Sequence, residues 1–284
     1  MLRRLAPYLQ VGPLTLVLVV FLAVPVGVII AVSFWSYDEF SIYPDFTLDN
    51  YAWILSSSVT YSVYLKTIYY AAVTWAITLV IGFTISYFLV FHVRNLIWQI
   101  ALFLVCTVPF WTSNIIRMIS WIPFLGKEGI FNSILVGAGV TDEPYAFLLF
   151  SDFAVILAYV HLFTLFMIVP IFNSMARIDP SLLEAAVDGG AKPWQVIKEV
   201  VLPLSKTGIA LGSIFVIALV MGDFFVVRVM SGGQSSTVAS AMQNEIGLLQ
   251  YPSAAAGAVI LLVIVTLMVT AILRVVDVRR ELAR

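Results

Sequence analysis

Long uncharged stretches alternate with short polar interruptions along this chain. The uncharged or nearly uncharged runs are Leu5 to Tyr37, Thr67 to Phe91, Asn95 to Ile116, Phe153 to Ala176, Thr207 to Gly222 and Ile246 to Leu273. A helix rises about 1.5 Å per residue and a bilayer's hydrocarbon core is about 30 Å thick, so roughly 20 residues make one crossing. Six transmembrane helices are predicted, the fifth of them short. The first run is too long for the core of a cleavable signal and suits a retained span, with Arg3-Arg4 before it as a topology anchor. In the loop from Trp35 to Lys66, the segment Asn50-Tyr51-Ala52-Trp53-Ile54-Leu55 has the aromatic and aliphatic side chains of a short surface helix. Trp121 to Asp152 carries Gly126, Gly129, Gly137, Gly139 and Pro144, the punctuation of a folded re-entrant or surface segment.

One polar island interrupts the second half, from Asp179 to Pro203. Asp179-Pro180-Ser181 opens a helix: Pro180 suits a first helical position, Ser181 to Glu184 has capping-box spacing, and either Asp179 or Ser181 serves as the cap. Gly189-Gly190 ends that helix; a second begins at Lys192-Pro193-Trp194, and Pro203 is expected to terminate it. Glu184 and Asp188 lie one turn apart on one face, beside small alanines that permit close docking. A docking element and an ordinary linker between two spans are both compatible with these features.

Composition sharpens the class. With 62% hydrophobic and 11% charged residues among 284, the chain is too apolar to clothe one soluble core, so it is an integral membrane protein, and its six helical runs make its expected class all-α. A formal net charge of -1 offers no basic excess for nucleic acid, and the single cysteine, Cys106, reads as a packing residue. Charge also orients the spans. With both termini inside, Arg3, Arg4, Arg94, Arg177, Lys192, Lys198, Lys206, Arg274, Arg279, Arg280 and Arg284 are cytoplasmic, and only Lys66, Arg117, Lys127 and Arg228 are outside. The positive-inside rule therefore places the island and both termini in the cytoplasm, while acids such as Asp38, Glu39, Asp45, Asp49, Asp142 and Glu143 lean outward.

The spacing within the island narrows the reading. Glu184-Ala185-Ala186, a glycine six residues after the glutamate at Gly190, and a proline nineteen after it in Leu202-Pro203 closely resemble the EAA loop of ABC-importer membrane subunits. More widely the chain resembles the spermidine/putrescine-type permeases, through Pro109-Phe110-Trp111-Thr112-Ser113-Asn114-Ile115-Ile116-Arg117, Leu125-Gly126-Lys127-Glu128-Gly129-Ile130-Phe131-Asn132, the island, and Met221-Gly222-Asp223-Phe224 with Gly232-Gly233. It departs from them at Arg228, where such permeases seldom place a cation, and at Gly189, which doubles the turn glycine.

The resemblance implies a type I ABC importer fold in a bacterial inner membrane, residues 1–284 forming a single transmembrane domain with 179–203 as its cytoplasmic EAA coupling loop. Glu184, Ala185, Ala186, Asp188, Gly190 and Pro203 would then engage a groove of an ATP-binding subunit. It further implies a second, related but different permease, two ATP-binding subunits carrying ATP and magnesium, and a periplasmic binding protein; a homodimer is the alternative arrangement. No cofactor, metal site or catalytic residue is expected in this chain: it has no G-x-x-x-x-G-K-[ST] loop, and Gly126-Lys127 is followed by Glu128.

Ionisable groups in a span are costly and so point to function. Counting from Thr207, Asp223 lies about 24 Å along the fifth span. Its carboxylate could attract an ammonium group or pair with Arg228 or Arg117. Trp111, Asn114, Arg117 and Trp121 fall at helical spacing on one face of the third span, offering aromatic and hydrogen-bonding groups, or simply packing. His161, mid-span with Tyr159 on another face, is read first as bonded to a neighbouring helix and second as pathway lining. The expected cargo is a small cationic or amine-bearing, polyamine-like solute; opines, amino-acid-like amines, aminophosphonates and iron are carried by related permeases. The competing class is an ion-gradient-driven secondary transporter or channel, which needs coupling-ion ligands in the spans; the spans offer only His161 and the outer-lying Asp223, and no repeat is visible.

Overall fold

A computed structural model describes residues 11–38 and 41–275. The expectations that rest on Arg3, Arg4, Glu39, Arg279, Arg280 and Arg284 lie outside the described residues. Two compact units are present, one running to Val63 and adding Ala241–Ile264, the other spanning Tyr64–Ser240 and adding the chain from Val265.

In the first unit, helix α1 (Val11–Val32) contains a π turn at Val19–Ala23, closed by the Val24 amide on the Val19 carbonyl, directly before Pro25. A proline cannot donate and its ring crowds the carbonyl four residues back, so the widened turn lets the helix run on. A small antiparallel hairpin follows, β1 (Ser36–Tyr37) against β2 (Ile42–Tyr43), an addition to the all-α expectation. Asp38 closes it, accepting from the Ser41 amide at 2.8 Å and the Tyr43 hydroxyl at 2.7 Å. Helix α2 (Asp49–Ser56) is the expected surface helix, with Trp53 and Leu55 exposed. Its buried Asn50 donates to the Ser33 and Trp35 carbonyls at 3.0 and 2.9 Å, satisfying acceptors left open where α1 ends.

The second unit is built on α7 (Asp152–Met175), whose buried side chains include Tyr159, Met167, Ile171 and Met175. Alongside it runs α10 (Lys206–Gly222), and α3 (Ser58–Phe91) packs on the same helix. In lipid no hydrophobic drive pushes helices together, so close backbone approach through small residues carries the packing. Gly208 lies against the Pro170 carbonyl and Ser174, Gly212 against Met167, and Gly82 of α3 against the same methionine. Trp75 adds a hydrogen bond from its indole to Ser213 at 2.8 Å.

Among the described residues, four helices are long and apolar enough to cross a membrane alone: α1, α3, α7 and α13 (Tyr251–Val275). Two bent pairs bring the possible crossings to six. The third run, expected as one helix, is broken. Helix α4 (Leu96–Thr107) tightens into a 3-10 turn at Val108–Trp111, Thr112 and Ser113 are extended, and the segment Asn114–Gly137, which begins with α5 (Asn114–Leu125), leaves at 89°. Pro109 supplies no amide to the α4 ladder, and Thr112 Oγ1 returns to the Pro109 carbonyl at 3.0 Å, sealing the turn. Beyond α5, α6 (Ile130–Gly137) belongs to the folded segment expected there, which buried Asn132 clamps by bonding the Gly126 carbonyl and both the amide and carbonyl of Tyr145.

The island also differs in one respect. After α8 (Pro180–Asp188), helix α9 (Pro193–Leu204) does not stop at Pro203: a π turn at Ile197–Val201, closed by Leu202 on the Ile197 carbonyl, admits the proline. The break falls at Ser205, whose amide and hydroxyl both bond the Val201 carbonyl, and α10 departs at 70°. Beyond α10 come α11 (Phe225–Met230) and α12 (Val238–Gly247).

Candidate functional site

Two sets of residues were singled out by the sequence: one lies between α7 and α10, the other on the 3-10 turn at Val108–Trp111, on α5, on α7 and at the break after α10. The first is the island between the C-terminal end of α7 and the start of α10. Asp179, not Ser181, caps α8: its carboxylate accepts the Ser181 amide at 2.9 Å, and that bond holds the carboxyl below the ordinary carboxylate range. At the other end the Gly189, Gly190 and Ala191 amides bond the Ala185, Val187 and Ala186 carbonyls. Gly190 carries φ +85°, a left-handed position that a side chain strains, so of the two glycines it is the one six residues after Glu184 that makes the turn. Gln195 then accepts the Lys192 amide at 2.7 Å and starts α9.

The surface of the island is apolar as well as charged. No residue of α8 is buried; Leu182, Val187 and Trp194 are about half exposed or more, at 47%, 59% and 58%. Glu184, Ala185, Asp188 and Gly190 are exposed, and Ala186 and Pro203 are half-buried. Lys198 rides over the Trp194 ring at 5.9 Å. Large apolar side chains are thus held in the open by a capped, glycine-turned frame.

The second set is the expected solute path. The bend before α5 overturns the single-face arrangement: Trp111 sits on the 3-10 turn, 77% exposed, whereas Asn114, Arg117 and Trp121 belong to α5. Arg117 is buried, its guanidinium bonded to Asn114 Oδ1 and its Nε without a partner. The Trp121 indole donates to His161 Nδ1 at 3.1 Å, which bears out a histidine bonded to a neighbouring helix. Arg117, Trp121 and His161 line an open cleft of about 430 Å³ with Thr112, Ser120 and Phe124.

Asp223 breaks the backbone between α10 and α11. Its carboxylate accepts the Val226 amide at 2.8 Å and faces the Tyr159 hydroxyl at 3.4 Å, so Tyr159 and Asp223, both selected from the sequence, come together. The alternative pairing with Arg228 or Arg117 is not formed; the ion pairs among the described residues are Lys66–Asp152 and Lys198–Glu199. Tyr159, fully buried, meets Tyr70 edge-on at 6.3 Å between centroids.

Sequence reasoning passed over one cluster. Asp152, the first residue of α7, pairs with Lys66 and accepts the Tyr70 hydroxyl at 2.6 Å and the Ser235 hydroxyl at 2.9 Å. Lys66 was visible as one of few cations on its side, but its partner lies 86 residues away. No local pattern links the two.

The chain has close relatives. Residues 93–281 match the family described as binding-protein-dependent transport system inner membrane component. The spermidine/putrescine transport system permease protein PotB of Salmonella typhimurium is 33% identical over 253 residues, 88% of this chain and 87% of that protein. PotB of Escherichia coli is 32% identical with 88% and 90% covered, and the inner membrane ABC transporter permease YdcU of that organism is 28% identical with 83% and 78% covered. Among solved structures, a chain of the bacterial alginate ABC transporter, crystallised with a periplasmic protein bound to an alginate pentasaccharide, superposes with a TM-score of 0.76 at 16% identity, covering 95% of this chain and 93% of its own. That likeness fixes the fold as that of an ABC importer's membrane subunit, and the family makes the chain a transporter subunit and not an enzyme. The ion-gradient-driven carrier or channel is set aside: this chain belongs to the family of binding-protein-dependent transport system inner membrane components, as a multi-pass inner-membrane permease.

Proposed function

We propose that the chain is one of two permeases in an importer that carries a small amine-bearing, polyamine-like solute from a periplasmic binding protein to the cytoplasm. In this reading residues 1–284 act as one transmembrane domain, with both termini and the 179–203 loop cytoplasmic. A related but different chain is the second permease, and two ATP-binding subunits hold ATP and magnesium. The PotB relatives are named for spermidine and putrescine, and the alginate transporter was crystallised with a periplasmic protein.

One observation carries the coupling role. The island holds Leu182, Val187 and Trp194 in the open around the Gly190 turn, and it is joined directly to α7 and α10, the tightly packed pair of the second unit. A partner seated on Glu184, Ala185, Ala186, Asp188 and Gly190, with Pro203 behind them, would push on both helices. Trp111, Asn114, Arg117, Trp121, Tyr159 and Asp223 line the solute's route in this reading, Asp223 supplying the charge that attracts an ammonium group. The test is ATP-driven putrescine uptake into proteoliposomes holding the full complex. Gly190→Val, which strains the left-handed turn, and Glu184→Ala should each lower uptake at least tenfold while the complex still purifies together. Uptake that continues without ATP and collapses with the ion gradient would overturn the reading.

A further inference from the structure

The Asp152 cluster sits at the end of α7 away from the island, the end that faces the binding protein in the orientation proposed above. Its geometry is that of a receptor for an alkylammonium group. Asp152 supplies the carboxylate, already oriented by the Tyr70 and Ser235 hydroxyls at 2.6 and 2.9 Å. Two aromatic rings supply the rest: the Lys66 ammonium lies 5.8 Å from the Tyr69 centroid and 5.5 Å from that of Tyr70. A carboxylate beside aromatic faces is the chemistry that recognises a primary ammonium. Here the ammonium is the protein's own.

Three further observations separate this cluster from a plain structural tie. An open cleft of about 480 Å³ lies directly against it, lined by Lys66, Ser151, Asp152, Gln234 and Ser235 with Phe147 and Phe153, room for a small solute. Both partners of the ion pair remain reachable from that cleft, with 33% of the Lys66 side chain and 40% of the Asp152 side chain exposed. Partly exposed ion pairs contribute little net stability, so exchanging the tethered ammonium for a free one costs the protein little. The hydroxyl bonds that hold the carboxylate do not depend on Lys66, so the receptor keeps its shape when the lysine swings out.

We propose that Asp152, Ser235, Tyr69 and Tyr70 form an entrance subsite for the primary ammonium of the solute, which Lys66 occupies as a tethered surrogate until the solute displaces it. The proposal rests on the import of an amine-bearing solute and adds where such a solute first docks. From Asp152, two turns of α7 lead to Tyr159 and its partner Asp223, so a second carboxylate waits about 10 Å farther along that helix.

Butylammonium, which presents one ammonium on a stem like that of lysine, is the probe. Its binding to the full-length chain in lipid nanodiscs is measured by calorimetry, with tetramethylammonium at equal ionic strength as the comparison. Lys66→Ala removes the competitor and should bind butylammonium about tenfold more tightly than the wild type. Asp152→Asn, and Asp152→Asn combined with Lys66→Ala, should bind at least tenfold more weakly than Lys66→Ala. Lys66→Gln, which keeps the stem and drops the charge, gives the same reading if the alanine variant is poorly folded. Equal affinity in wild type, Lys66→Ala and Lys66→Gln, or retention of binding by the asparagine variant, overturns the proposal. Because the measurement needs neither ATP nor partner subunits, such a result leaves ATP-driven uptake to be judged separately.

Discussion

Replacing Gly208 by alanine should part α7 from α10. An ideal Cβ at Gly208 would be driven into the Pro170 carbonyl oxygen and would stand 2.6 Å from Ser174 Cβ. Carbon contacts settle near 3.5–4.0 Å, so the helices must separate by about 1 Å, and a backbone carbonyl cannot rotate away as a side-chain tip can. Overpacking of this kind costs about 1–3 kcal/mol, against a gain of about 0.5–1 kcal/mol from exchanging glycine for alanine inside a helix. Because the nearest atom is a backbone carbonyl, the cost falls at the upper end of its range and the net loss is up to about 2.5 kcal/mol. Gly222 in the same helix is the matched control, since its added Cβ meets nothing within 4 Å and only the propensity gain remains. Tryptophan-fluorescence melting in nanodiscs reads both variants: at about 2–4 °C per kcal/mol, Gly208→Ala should melt several degrees below wild type and Gly222→Ala at or slightly above it. Equal melting of the two variants would refute the packing argument.

Asn50→Ala leaves the Ser33 and Trp35 carbonyls without its two bonds and should cost about 1–3 kcal/mol locally, seen as faster amide exchange through α2 with the α7 amides unchanged. Asp223→Asn keeps an acceptor for the Val226 amide and loses only charge, so ATP-driven putrescine uptake should fall at least tenfold with little change in melting; unchanged uptake removes Asp223 from the route. The Asp179 cap is pH-dependent with a definite sign. Because the Ser181 amide depresses the folded carboxyl, its contribution is complete above the unfolded value near about 3.9 and is lost as pH falls through the lower folded value. Amide exchange at Ser181 and Leu182 should therefore quicken at acid pH, and Asp179→Asn should abolish that response.

Periodic and local features were the legible part of this protein. Runs of apolar residues announced the spans, and Asp179, Pro180 and Gly190 announced the island, because caps and turns are decided by a few adjacent residues. The break at Thr112–Ser113 was hidden because hydropathy continues straight through it, although Pro109 was in plain sight three residues earlier. Pro203 misled in the opposite direction, since a π turn can absorb a proline that propensity alone reads as a stop. Asp152 with Lys66, Tyr70 and Ser235, and likewise Trp121 with His161, join positions 40 to 86 residues apart, and a single sequence holds no signal for such pairings. Tyr159 and Asp223 were each selected alone, for reasons that said nothing of their meeting 3.4 Å apart.

Met167 sits between two glycines that belong to different helices. A Cβ on Gly82 would meet its Cγ at 2.7 Å, and one on Gly212 would meet its Sδ at 2.7 Å. A thioether chain is the most adaptable filler a core has, so Met167 can move its side chain from either intrusion toward the opposite gap, while the Gly212 Cβ also needs the Met167 backbone, 3.2 Å away, to give by a few tenths of an ångström. Both together leave it nowhere to go. Gly82→Ala and Gly212→Ala should thus be more harmful in combination than their separate effects add up to, by about 0.5–3 kcal/mol in a double-mutant cycle. Through one side chain, α3 and α10 each register what happens to the other, and a slight shift of either helix becomes a change in the room available to its counterpart.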